Sequence, residues 1–222
     1  MNRAELKSDA KLKLKGKYGI LFAIMLIIGL ISGVAGAILS LIPYVGSLIS
    51  TIIITPAFAL STIRVYLAVT AGETPEVKDA FSGFDDFWSA FKVTFLVGLY
   101  TFLWSLLFII PGIVKTYAYS MSMYILAENK GKGARECIKE SMEMTYGHKM
   151  ELFVLSLSFI GWSLLGVLTL GIGYIWIIPY MQATFTNAYK SLKPQQPELP
   201  EAPAEEDNAP DEESFTAVNT EE

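Results

Sequence analysis

Residues 20–42, ILFAIMLIIGLISGVAGAILSLI, run for 23 positions without a charged side chain. A helix of ~20 mostly apolar residues crosses the ~30 Å hydrocarbon core of a bilayer. A helix on the surface of a water-soluble domain needs a polar face instead. This run therefore restricts the chain to folds in which a whole helix is surrounded by apolar material, and it does not stand alone. Residues 47–69 form a second run, interrupted by Pro56 and Arg64, and 93–110 give 18 uncharged residues. Residues 152–170 give 19 more, and 172–189 give 18 that contain Pro179 and Asn187. Residues 113–127, IVKTYAYSMSMYILA, are apolar but only 15 long and carry Lys115.

Lys and Arg decide how these runs are threaded. Short loops on the cytoplasmic side of a membrane carry the excess of basic residues. Six cations (Arg3, Lys7, Lys11, Lys13, Lys15, Lys17) precede the first run and none separates it from the second. Lys78 and Lys92 precede or open the third run. Lys130, Lys132, Arg135, Lys139 and Lys149 follow 113–127, none lies near residue 171, and Lys190 and Lys193 follow the last run. All clusters share one side only if 113–127 also returns through the membrane. A 15-residue helix rises ~22 Å at 1.5 Å per residue, so this return is expected to start below the outer surface.

The expectation is an all-α integral membrane protein with six transmembrane helices in three tight hairpins and both termini cytoplasmic. The outer reversals read IPYVGS, IPGI and TLGIGY, uncharged and built on Gly and Pro, which suit abrupt turns. The middle one is assigned to Pro111-Gly112. A basic amphipathic helix over 1–19 precedes the six-span domain of 20–192, and an acidic tail over 193–222 follows it. Ala35-Gly36-Ala37 resembles a signal-peptidase site, but the apolar run continues past it. Gly29, Gly33 and Ala37 read instead as a small-residue helix contact.

The formal charge of −5 averages unlike parts. Pro194–Glu222 hold ten acids and no Lys or Arg, leaving 17 basic against 12 acidic residues before them. The tail has too little apolar surface to offset its ordering entropy and is expected to be disordered. Leu6, Ala10 and Leu14 form one stripe of the first segment, which reads as a helix lying on an anionic inner leaflet. Phe81, Phe84, Trp88 and Phe91 have helical spacing and read as an interfacial anchor, with an aromatic ligand box as the alternative. Residues 133–153 read as a short helix ending near Gly147.

Little in the sequence carries chemistry. Cys137 is the lone cysteine and His148 the lone histidine, which excludes a His/Cys zinc site. Cys137 is expected to be buried and His148 to lie at an interface. No phosphate-binding loop and no nucleic-acid motif occurs. No cofactor, metal or catalytic residue is assigned. Ionisable and polar groups inside apolar runs are the remaining candidates, and Arg64, Lys115, Gln182 and Asn187 form the candidate intramembrane polar site. IITPAFALSTIRVY and IIPYMQATFTNAY echo one another, with Arg64 matching Asn187, a pattern that internal repeats of transporters produce.

NRAELKSDAKLKLKGKYG, LWSLLFIIPGIVKTYAYSMSMYILAE and LSFIGWSLLGVLTLGIGYIWIIPYMQATFTNAYKSL together resemble the membrane family called domain of unknown function 975, over about residues 2–192. Tyr18 stands where members often have Trp. The resemblance implies a bacterial multi-pass inner-membrane protein and supplies no activity. The functional expectation is a non-enzymatic protein of the cell envelope that binds or assists membrane components. Its partners are the anionic inner leaflet and a membrane protein or a second copy, with no nucleic acid. A transporter or channel subunit for an anionic or amphipathic solute is the second reading, and a lipid-modifying enzyme the third.

Overall fold

The computed structural model describes residues 3–39, 52 and 54–193. The IPYVGS reversal, most of residues 47–53 of the second run and the acidic tail lie outside the described residues. Ten α-helices follow in order: α1 (Arg3–Leu14), α2 (Tyr18–Leu39), α3 (Thr55–Ala71), α4 (Phe87–Leu107), α5 (Ile109–Tyr119), α6 (Ser122–Glu128), α7 (Ala134–Met144), α8 (Lys149–Leu157), α9 (Ile160–Leu168) and α10 (Tyr174–Leu192). A 3-10 turn, Val77–Phe81, lies between α3 and α4, and no strand occurs among the described residues. Among the described residues three stretches are long and apolar enough to cross a membrane: Tyr18–Leu39, Phe87–Leu107 and Lys149–Leu168.

These helices are buried at one end and bare at the other. Leu21 and Ile24 of α2, Ala90 and Val93 of α4, Leu152 and Leu155 of α8, and Ala183, Ala188 and Tyr189 of α10 enter one shared core. The core is completed by α1, by Leu60–Val69 of α3 and by α6. Beyond it the surface is apolar and exposed: Leu26, Leu30 and Val34 on α2, Phe95, Phe102 and Leu106 on α4, Leu164 and Leu168 on α9. Contiguous apolar surface on this scale is not what a soluble monomer presents to water.

Cations hold the packed base together. Lys17 Nζ donates to the carbonyls of Gly72 (2.7 Å) and Glu73 at the end of α3, and Lys190 Nζ to that of Leu67 (3.4 Å). A helix C-terminus presents unpaired carbonyls and the negative end of its dipole, so ammonium groups are favoured there. Glu128, closing α6, accepts from Tyr189 Oη (2.8 Å) and Lys193 Nζ (2.6 Å) of the α10 end. Some of the basic residues read as topology markers thus also cap helices.

Two local expectations shift. The α4–α5 reversal falls at Phe108, whose extended backbone (φ −157°, ψ 140°) ends one helix and begins the next. Pro111 sits in the first turn of α5, where a missing N–H removes no helical bond. Gly112 is required by proximity: a Cβ there would lie 2.3 Å from Ser105 Oγ and 2.9 Å from its Cα. Gly112→Ala must therefore push α4 and α5 apart, at a cost of ~1–3 kcal/mol typical of overpacking. A lowered unfolding midpoint in detergent would register it.

The 113–127 stretch is divided between α5 and α6, with Ser120 and Met121 at the break. Its second half is covered by protein. Ser141 Oγ of α7 donates to Ala118 O (2.8 Å) and accepts from Met121 N (3.1 Å), and Met121, Ile125 and Leu126 are buried. Beside the break, Ile138 of the charged amphipathic α7 packs with Ala118 and Tyr119 of α5.

Helix α1 shows a related difference. Its Leu6, Ala10 and Leu14 stripe, expected to face lipid, is buried against α10 and α3. The polar inner half of α10 explains this, since Asn187 Nδ2 finds its acceptor on α1, the carbonyl of Leu6 (3.3 Å). The helix expected within 133–153 is α7, followed by Gly147 at φ 81°. Cys137 is fully buried, and burial, the main cause, pushes its thiol up from its ordinary value.

Candidate functional site

Arg64 has the most developed surroundings of the four candidates. It lies on α3, eight residues after Pro56, which opens that helix. A guanidinium on an apolar helix needs a carboxylate and hydrogen-bond acceptors to offset its desolvation. The segment 76–86 supplies both. Arg64 Nη2 donates to Asp86 Oδ2 and Nη1 to the carbonyl of Ser82. The two side chains are 12% and 19% exposed, so this is a sheltered pair.

The segment is shaped for that role. Glu76 N donates to Asp79 Oδ2 (2.8 Å), fixing the start of the 3-10 turn, and Ser82 Oγ donates back to Asp79 O (2.8 Å). Gly83 then lies flat on α3, its N–H donating to Ser61 Oγ at 2.8 Å. Phe81 and Phe84, both still exposed, lie against the buried Phe58, with ring centroids 6.4 and 5.2 Å away. The expected single aromatic stripe is therefore two groups. The other, Trp88, Phe91 and Phe95, belongs to α4. The bends at 82–86 break the helical spacing on which one continuous face depends.

Lys115 lies elsewhere, on α5. Its ammonium sits 4.8 Å from the Trp104 ring centroid on α4 and 5.9 Å from that of Tyr119. The ring faces supply a cation–π attraction worth ~0.5–2 kcal/mol according to desolvation. Asn187 is 5% exposed and tied to α1, while its Oδ1 is buried without a partner in the described structure.

Gln182 lines a cavity. A cleft of about 400 Å³ between α2, α3, α6 and α10 is lined by Ser32, Thr55, Thr62, Phe58, Tyr124 and Gln182. Thr62 Oγ1 is engaged by its own helix, donating to Phe58 O at 2.7 Å. The cleft offers neutral hydrogen-bonding groups and no charge. Arg64, Lys115 and Asn187 thus each have a different set of partners, while Gln182 lines the cleft. In the sequence echo, Pro56 lies in the first turn of α3 after the π-helical Ile52 and Ile54, and Pro179 lies inside α10. The two helices do pack on each other.

Asp86 is not among the candidate residues singled out from the sequence, and its pairing with Arg64 is a finding of the structure. A signal for it existed: an arginine within an apolar run requires an acid, and Glu73, Glu76, Asp79, Asp85 and Asp86 all follow it before the third run. His148 Nδ1 lies 3.1 Å from Glu151 Oε2, both partly exposed. Among the described residues no three of His, Cys, Asp and Glu converge as a metal ion would need. Lys7 and Lys11 of α1 lie over the rings of Phe159 (4.4 Å) and Tyr180 (5.5 Å). Burial, then the nearby Arg3 and Lys11, hold Lys7 below the usual lysine value.

Among the described residues the chain is helical, with a packed, charged base and bare apolar helix ends, an arrangement compatible with membrane association. The chain belongs to the family described as "Protein of unknown function (DUF975)", which matches residues 1–117 and 108–196. No curated protein and no solved structure matches it.

Proposed function

We propose that this chain is a non-enzymatic multi-pass protein of the bacterial cytoplasmic membrane that acts by binding or assisting other membrane components. Six apolar segments would enter the membrane as three hairpins, with both termini and the charged base on the cytoplasmic side. The observation that carries this reading is the division of burial, with the core confined to the base and the apolar helix ends left for lipid and partners. Arg64 and Lys115 support it, because both charges are engaged by the chain itself and neither awaits a solute.

The test is photocrosslinking in native membranes from probes at Leu106 and Trp176, two exposed positions. The expected result is a discrete adduct, either at twice the chain mass or with one membrane protein. Adducts with lipid alone would overturn the partner part of the reading. Release of the chain by an alkaline carbonate wash would overturn membrane residence.

The transport reading keeps one observation in its favour, the neutral polar cleft at Gln182. It would then concern an uncharged hydrogen-bonding solute rather than an anion. Flux through proteoliposomes that falls severalfold on Gln182→Leu would support it over the binding role.

A further inference from the structure

We infer that the α9–α10 hairpin does not cross the bilayer: its tip, residues 168–172, lies within the hydrocarbon and turns back to the side it entered from. This rests on membrane residence as proposed above, and it adds a depth to it. Three observations converge. The first is the tip's surface. Leu168, Leu170 and Ile172 are 80%, 93% and 62% exposed, and no charged residue occurs from 152 to 189. A turn that reached water would present its most exposed side chains to water, and these are leucine and isoleucine.

The second is the backbone. In hydrocarbon each unpaired peptide group costs several kcal/mol, so irregular chain survives there only if it satisfies itself. Every N–H from Thr169 to Ile177 donates within the hairpin, eight of them to carbonyls and that of Gly173 to Thr169 Oγ1 (2.9 Å). Tyr174 Oη donates to Ser163 O (2.9 Å) across the two helices. Gly166 meets the Tyr174 ring so closely that a Cβ would lie 3.0 Å from it. Every N–H of the turn is thus paired within the hairpin.

The third is depth. Helix α1 carries too many charges to lie in hydrocarbon, and its Lys7 and Lys11 ammonium groups sit over Phe159 and Tyr180. Those rings therefore mark the polar boundary. From Phe159 to Leu168 is nine residues, ~13 Å of helix, and from Tyr180 back to Tyr174 only ~9 Å. A hydrocarbon core of ~30 Å is about twice that deep. The partner that fits the hairpin is the acyl-chain region of a single leaflet.

Single cysteines at Leu170, Leu168 and, as the cytoplasmic control, Ser191, in a Cys137→Ser chain, test this in intact cells and inside-out vesicles. A membrane-impermeant maleimide should label Ser191→Cys from the inner side and neither tip cysteine from either side. After detergent the tip cysteines should label at least tenfold faster. A fluorophore at the tip should be quenched most by lipids brominated deep in the acyl chain. Labelling of either tip cysteine by the impermeant reagent from the outer side overturns the inference while leaving membrane residence intact. Loss of the chain to a carbonate wash overturns both. If Leu170→Cys fails to accumulate, since Leu170 holds φ 52°, Leu168→Cys and Ile172→Cys give the same readout.

Discussion

Asp86→Ala is expected to cost about 3 kcal/mol of stability, the range seen when one partner of a buried ion pair is removed. The loss comes less from the attraction than from what stays behind. Arg64 would remain 12% exposed on its side chain, with Nε already lacking a partner and only the Ser82 carbonyl to receive its protons. Removing both charges at once, as Arg64→Met with Asp86→Leu, should recover most of the loss, because two apolar side chains of similar size leave no stranded charge. Unfolding in detergent micelles, followed by far-UV circular dichroism, would rank the three proteins. Equal stability for Asp86→Ala and the parent would show that the pair is solvated.

Gly83→Ala should be at least as damaging. A Cβ at Gly83 would lie 2.0 Å from the Ala57 carbonyl oxygen and 2.8 Å from Ser61 N. Both belong to the backbone of α3, which cannot yield locally without losing helical bonds. The 76–86 segment must lift instead, and with it go the Ser61 hydrogen bond and both Arg64 contacts. We expect a loss of about 3 kcal/mol or more, the upper part of the overpacking range. Since Gly83→Ala already undoes the pair, adding Asp86→Ala should cost little further. Clear additivity would separate the two features, as residues acting in one network are non-additive.

How much of this was legible beforehand depends on the range of the interaction. The helical class and three runs long enough for a membrane follow from composition along the chain, and the family motif lies in contiguous residues such as IIPGIVKTYAYSM. The reversal was placed within three residues, but the choice of Phe108 over Pro111 depends on Ser105 approaching Gly112, a contact between two helices. The stripe of α1 was read correctly as a stripe. Its partner was not, because period and spacing say that a face is apolar and never what covers it. The same limit applies to the candidate site. Arg64, Lys115, Gln182 and Asn187 were found as polar groups in apolar runs. Their partners come from 22, 11 and 181 residues away for Asp86, Trp104 and Leu6, beyond the reach of helical periodicity.

The spacing of Arg64 and Asp86 also sets an order of events during synthesis. A ribosome that adds ~5–20 residues per second releases Arg64 one to several seconds before Asp86. Throughout that interval α3 carries a positive charge with no internal counterion. The Arg64 contacts to Ser82 and Asp86 can therefore close only after the whole 76–86 segment has been made, which places the docking of that segment late in the building of the α3 surroundings.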